Sequence, residues 1–412
     1  MPREADAVPS NGHGQPPPSR ASGIAAEVFD PVVAARALAP AVAAAAEATE
    51  RGRRLAPGLA ADMARAGIFR MLVPRDLGGA QCAPGAMVDA IAEIARADGS
   101  AGWCAMIAAT TGILSAWLPP ERARAIFGDP EAISGGVFHP RGRAVVADGG
   151  YRLNGRWTFA SGCQHCTWLL GGAPVFASPE DARPRLRDDG SPDLKLFLFP
   201  ADCARIIDTW STSGLRGTGS HDIEVCDLFI PDGHAAWLGD PALHKDPLYR
   251  FPVFGLLALG IAGVALGIAR GAIDDLSALA VQKVPTGGRR RLAERSAVQA
   301  DVARAEALLA GARAHVHATI DEAWVRARRG EDLDLRTRAL LRLAATDAVR
   351  RAAEAVDLSY EAAGGSAIHD SSTLSRRFRD VHVATQHVMV AKPTYEVAGR
   401  VLLGLDAGSE LL

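Results

Sequence analysis

From about Ala25 to Phe127 the apolar positions recur at helical spacing. "PVVAARALAPAVAAAAEATERGRRLAPGLAADMARAGIFRMLVP" carries one long periodic run, with a break expected at Pro40. A second helix is predicted over "PGAMVDAIAEIARAD". A third follows Ser100 through "AGWCAMIAATTGILSAWL" and stops at Pro119 and Pro120. Between about Ile133 and Leu238 the period shortens. "DGGYRLNGRWTFAS" reads as a Gly-Gly turn, an alternating run, an Asn-Gly turn and a second strand, which is a hairpin signal. "LKLFLFP" and "IEVCDLFIP" read as short strands ending at proline, and "ASPEDARPRLRDDGSPD" as a loop. From about Phe251 the helical period returns in four runs, the last around "RRFRDVHVATQHVMVAK", with the lengths and short connections of a four-helix bundle.

The pattern therefore gives a mostly α chain with a small antiparallel β domain. Its parts are a tail at 1–24, an N-terminal helical domain at 25–128, a central β domain at 129–240 and a C-terminal helical bundle at 241–412. The tail, "MPREADAVPSNGHGQPPPSRASG", is polar, rich in Pro and Gly and without an apolar leader, and it reads as disordered. One uncharged run, Phe251 to Ala269, has the length of a membrane span. Four glycines dilute it, and the helix continues past Asp274 and Asp275, so a helix buried inside a bundle is expected.

A net charge of −2 and a pI of about 6.6 favour neither nucleic acid nor an anionic membrane as partner. The 6 cysteines are scattered, which suits free thiols and a cytoplasmic protein. In "WTFASGCQHCTWLL" Cys163, His165 and Cys166 stand together, but a structural metal site needs a second pair and none has suitable spacing, so no metal is expected. No Gly-rich phosphate loop opens a helix, and "GLRGTGSHDIEV" reads as a glycine turn between strands.

The order of helical domain, β domain and four-helix bundle resembles the acyl-CoA dehydrogenase superfamily over nearly the whole chain. "GGYRLNGRWTFASG", "TSGLRGTGSHDIEVCDLFIP" and "YEAAGGSAIHDSSTLSRRFRDVHVATQH" are similar to the family's hairpin, its strand pair around "G-x-R-G-[ST]" and its C-terminal "GG…RxxRD" region. The dehydrogenases of that family take an α-proton with a carboxylate. Here no Asp or Glu lies from Val381 to Tyr395, nor between Tyr249 and Asp274. Without a positioned base the step would lose roughly 10²–10⁴ in rate.

Gly102-Trp103, "WTFASG" and "RDVHVATQH" instead resemble the two-component flavin-dependent monooxygenases of the superfamily. The resemblance implies an oxygenase component that uses reduced FMN, or alternatively FAD, and O2 through a C4a-hydroperoxyflavin. It also implies a separate NAD(P)H:flavin reductase, a small aromatic, polycyclic or amine substrate, and a homotetramer. By the same resemblance Ser161 lies beside flavin N5, and Phe159 shares its face and packs on the ring system. Val137, Phe138, Gly364 and Gly365 complete the flavin contacts. His387 orients substrate or carries a proton, and Trp103 walls the pocket. Phenol-hydroxylating members place a His eight residues after that Trp, where this chain has Thr111, so phenolate activation is in doubt. His139 is a candidate substitute. An enzyme of desaturase type using another base, and a catalytically silent flavin-fold protein, are the alternatives.

Overall fold

The computed structural model describes residues 29–409, so the expected tail at 1–24 lies outside the described residues. The first helix, α1 (Pro31–Gly52), starts where the Asp30 side chain accepts the amides of Val32 and Val33, with Pro31 in the first turn. It runs through Pro40 without the expected break. Pro40 sits on the exposed side of the helix, where a carbonyl that loses its intrahelical bond can face solvent. Then come α2 (Leu59–Arg65), α3 (Pro84–Ala97), α4 (Gly99–Gly112) and α5 (Pro120–Phe127). The Asp98 carboxylate caps α4 through the Ala101 amide. Gly102 lets α4 lie tight on α3, since a Cβ there would stand 2.5 Å from that of Ala95. The next residue is Trp103.

Eight strands follow: β1 (Ser134–Pro140), β2 (Arg143–Ala147), β3 (Gly150–Ala160), β4 (Trp168–Phe176), β5 (Leu194–Pro200), β6 (Arg205–Ile207), β7 (His221–Pro231) and β8 (Ala235–Ala236). They form one sheet in the order β6-β7-β3-β2-β4-β5-β8, with β1 beside β4. The sheet is mixed, not antiparallel throughout, because β1 and β2 both pair β4 in parallel. Two reversals, at Gly149 and at residues 161–167, return the chain to the direction of β2. The Gly149-Gly150 turn forms as expected, but Asn154-Gly155 lies inside β3 at a bulge and turns nothing. The Asn154 side chain accepts the Asp227 amide from β7, and Gly155 makes room for the buried Trp157 indole.

The C-terminal helices are α6 (Val253–Gln282), α7 (Ser296–Arg328), α8 (Leu335–Ala363), α9 (Thr373–Ala384) and α10 (Pro393–Leu402). Both α1 and α6 are long and apolar enough to cross a membrane, and α6 is almost wholly inside the core. Its glycines face neighbours in the same chain. A Cβ at Gly260 would meet Met106 of α4, and one at Gly267 would collide with the Ala92 carbonyl and Ala95 of α3. The apolar face is thus covered without a second subunit. The last run of the bundle ends at Ala384, earlier than its apolar period suggested, and residues 385–391 form turns before α10.

Candidate active site

Where β3 ends, the backbone departs from strand geometry. Phe159 has φ 66°, a region that bulky side chains rarely occupy, and the register with β7 slips between Trp157 and Ala160. The Ser161 amide folds back onto the Phe159 carbonyl at 2.9 Å. This bulge breaks the alternation that would put Phe159 and Ser161 on one face. Ser161 is buried, whereas the Phe159 ring is 68% exposed and meets Trp210 edge-on at 6.1 Å.

Buried Ser161 is a hub. The Trp103 indole N–H donates to its Oγ across 3.0 Å, which ties α4 to the end of β3. On its other side Ser161 Oγ lies 2.6 Å from Ser220 Oγ, and Ser220 Oγ lies 2.7 Å from Thr218 Oγ1. The Thr218 hydroxyl donates to the Leu215 carbonyl at 2.8 Å, and that oxygen also accepts the Trp210 indole N–H at 3.0 Å. Asp380 on α9 holds the Leu215 amide at 2.6 Å. Burial, followed by the nearby Asp98, pushes the Asp380 carboxyl up to about 7. Thr218 and Asp380 close the quoted "G-x-R-G-[ST]" and "RxxRD" motifs, but neither they nor Ser220 were named as site residues from the sequence. The readable signal was "GTGSHD", which sets two hydroxyls two residues apart in the turn before β7.

His387 lies on the turn after α9, beyond the helix expected to carry it, and meets the Trp103 ring edge-on at 5.7 Å. Burial, reinforced by the Arg342 guanidinium, lowers it to about 4. Its Nδ1 accepts the Met389 amide at 3.2 Å, so the neutral ring carries its proton on Nε2.

Other expected positions lie elsewhere. Thr111 is completely buried, bonded to its own helix and to Ser134, and opens onto no substrate. The α4 backbone carbonyl of Ile107 and the start of β1 claim its hydroxyl. His139 is exposed at the end of β1, outside the Trp103–Ser161–His387 group. Half-buried Val137 packs into the β core, and Phe138 turns edge-on to Phe254 of α6 at 6.3 Å. Gly364 and Gly365 form an exposed turn after α8, and Gly364 has φ 56°, ψ −145°, open only to glycine. His165 stacks on Phe69, Cys163 points at the Gly219 carbonyl, and among the described residues no three His, Cys, Asp or Glu side chains form a metal-ligand group.

These residues suit a flavin. A strained backbone that leaves one aromatic ring bare offers a flat heteroaromatic system a surface to cover. The adjacent Ser161 oxygen keeps one lone pair beyond those contacts.

The chain matches family models over residues 32–118, described as acyl-CoA dehydrogenase, N-terminal domain, and 259–392, described as acyl-CoA dehydrogenase, C-terminal domain. It is 36% identical over 342 residues to the indole-3-acetate monooxygenase of Pseudomonas putida, covering 82% of this chain and 84% of that one. It is 28% identical over 394 residues to the flavin-dependent monooxygenase, oxygenase subunit HsaA, of Mycobacterium tuberculosis, covering 91% and 95%. The crystal structure of 3-HSA hydroxylase from Rhodococcus sp. RHA1 superposes with a TM-score of 0.84 at 26% identity, over 93% of this chain and 99% of that one.

Proposed function

The chain belongs to the acyl-CoA dehydrogenase superfamily, and within it to the oxygenase components of flavin-dependent monooxygenases, and on that premise we propose that it hydroxylates an electron-rich bicyclic aromatic of the indole type. As an oxygenase component it works with a separate reductase component and a small-molecule substrate. The bound reduced flavin supplies the electrons that activate O2. The observation that carries the site assignment is that one side chain, Trp103, touches both Ser161 and His387.

In this reading Ser161 meets flavin N5 and Trp103 fixes the position of its oxygen. Phe159 lies against the ring system. His387, neutral with its proton on Nε2, donates a hydrogen bond toward the reacting oxygen or the substrate. The burial of Trp103 and Ser161 keeps water from this corner. The position eight residues after Trp103, where phenol-hydroxylating relatives place a histidine, is Thr111, sealed behind Ser134. That supports a ring already nucleophilic at carbon, such as indole-3-acetate, the substrate in the name of the 36% identical relative.

We also propose a homotetramer in the cytoplasm. Its assembly is supported by the apolar side chains left exposed after α8 and α10, among them Ile368 and Leu403, and its compartment by 6 free cysteines. Light scattering tests the first, and a monomeric mass at micromolar concentration would remove it.

The substrate proposal is tested by mixing the protein with chemically reduced FMN, and in parallel reduced FAD, then with oxygenated buffer holding indole-3-acetate or phenol. Mass spectrometry should find a product one oxygen heavier from the indole and little from phenol. Oxygen consumed only to peroxide with every indole, and product from phenol, would overturn it.

A further inference from the structure

The hydroxyls behind Ser161 have one polarity. A carbonyl only accepts, so the Thr218 hydroxyl gives its proton to Leu215 at 2.8 Å. The 2.7 Å contact between Thr218 and Ser220 is then a hydrogen bond only if Ser220 donates. With that proton used, the 2.6 Å contact between Ser220 and Ser161 requires Ser161 to donate. At the far end an indole nitrogen only donates, so Ser161 accepts from Trp103 at 3.0 Å. No other arrangement satisfies all four contacts. Every member is buried, so reversing one link leaves a polar atom unpaired.

Ser161 therefore has no proton left to offer and one lone pair to spare. The two redox states of a flavin differ at the atom it is placed against. Reduced flavin carries a hydrogen on N5, and oxidised flavin presents a bare lone pair there. We propose that Thr218 and Ser220, by holding Ser161 as an acceptor, make this site select reduced over oxidised flavin. They are positioning residues, acting through Ser161. The inference rests on the reading that Ser161 meets N5. Such selection suits an oxygenase that draws reduced flavin from a pool also holding the oxidised form, and that must let the oxidised form go.

The test is a pair of binding constants for each protein: oxidised FMN by fluorescence titration, and reduced FMN by anaerobic titration. In Ser220→Ala the Ser161 hydroxyl is released and can turn to oxidised N5. Oxidised FMN should bind more tightly, and the ratio of oxidised to reduced Kd should fall roughly threefold to tenfold, the worth of one neutral hydrogen bond. Thr218→Val keeps the side-chain volume and lets Ser220 reverse, so it should act in the same direction. Ser161→Ala should instead weaken reduced FMN. If Ser161→Ala does so while neither Ser220→Ala nor Thr218→Val tightens oxidised FMN, the polarity proposal is overturned and the placement of Ser161 stands. If Ser161→Ala also leaves both constants unchanged, Ser161 is not at N5 and both readings fall.

Discussion

The indole N–H of Trp103 donates to the hydroxyl of Ser161 across 3.0 Å, bonding α4 to the end of β3. Neither residue has its role without the other. Trp103→Phe keeps the ring and removes the donor, and Ser161→Ala removes the acceptor. Each should cost roughly 0.5–1.5 kcal/mol of ordering at this corner. The measurable result is a larger share of consumed oxygen appearing as hydrogen peroxide, by about threefold to tenfold, with flavin still bound. Because both variants break one contact, the double variant should be less harmful than the two losses combined. Strictly additive losses would show that the contact does not couple the two residues in catalysis.

His387 should be silent across the neutral pH range. Burial holds its ring at about 4, below the ordinary 6.5, so it stays neutral from pH 6 to 9. The depressed value also means that the unfolded chain takes up the proton first. Its contribution to stability is complete above 6.5 and is lost as pH falls toward 4. His387→Gln keeps a neutral N–H donor and should retain much of the hydroxylation rate, whereas His387→Ala should lose about tenfold or more. A wild-type rate profile with an inflection near pH 6.5 that vanishes in His387→Gln would contradict this.

The fold was legible because its signals are periodic. Runs at helical spacing and the alternating stretch around Trp157 marked out helices, strands and helices in their order along the chain. The errors arose where tertiary contacts override local signals. Asn154-Gly155 reads as a turn, but β7 pairs with both sides of it and converts it to a bulge. Pro40 reads as a helix break, but it sits on the exposed side and the helix runs through it. The shared face expected for Phe159 and Ser161 fails because regular strand alternation cannot show a positive φ. The candidate site was half legible. Trp103, Ser161 and His387 could be named, but the relay through Ser220 and Thr218 depends on a turn folding back onto β3, which spacing does not encode. The glycines of the run expected to be buried in a bundle do lie against neighbours, and those neighbours are α3 and α4 of the same chain.

That helix contact carries a stability prediction. A Cβ at Gly267 would run into the Ala92 carbonyl and Ala95, both on α3, with backbone that cannot turn aside as a side chain would. Gly267→Ala gains some helix propensity but overpacks this crossing, which typically costs about 1–3 kcal/mol. Calorimetry should find the melting temperature lowered by about 2–6 °C. Gly311→Ala is the control, since nothing lies near the corresponding Cβ on α7, and it should be neutral or slightly stabilising. If both substitutions behave alike, the close approach of α6 to α3 is wrong.

Asp380 should make stability fall as pH rises. In an unfolded chain this carboxyl ionises near 3.8, and in the fold burial and the neighbouring Asp98 hold its proton up to about 7. Between those values the folded protein binds the extra proton. Its contribution is fully present below 3.8 and is lost as pH rises through about 7. Asn at this position keeps an oxygen for the Leu215 amide and cannot ionise. Asp380→Asn should therefore gain on wild type steadily as pH rises from about 4 and melt above it at pH 8, by about 3 °C or more. If the two proteins melt in parallel from pH 5 to 8, Asp380 is already ionised in the fold at pH 5, and the charge is compensated where it sits, Arg376 being a cation that favours the ionised form.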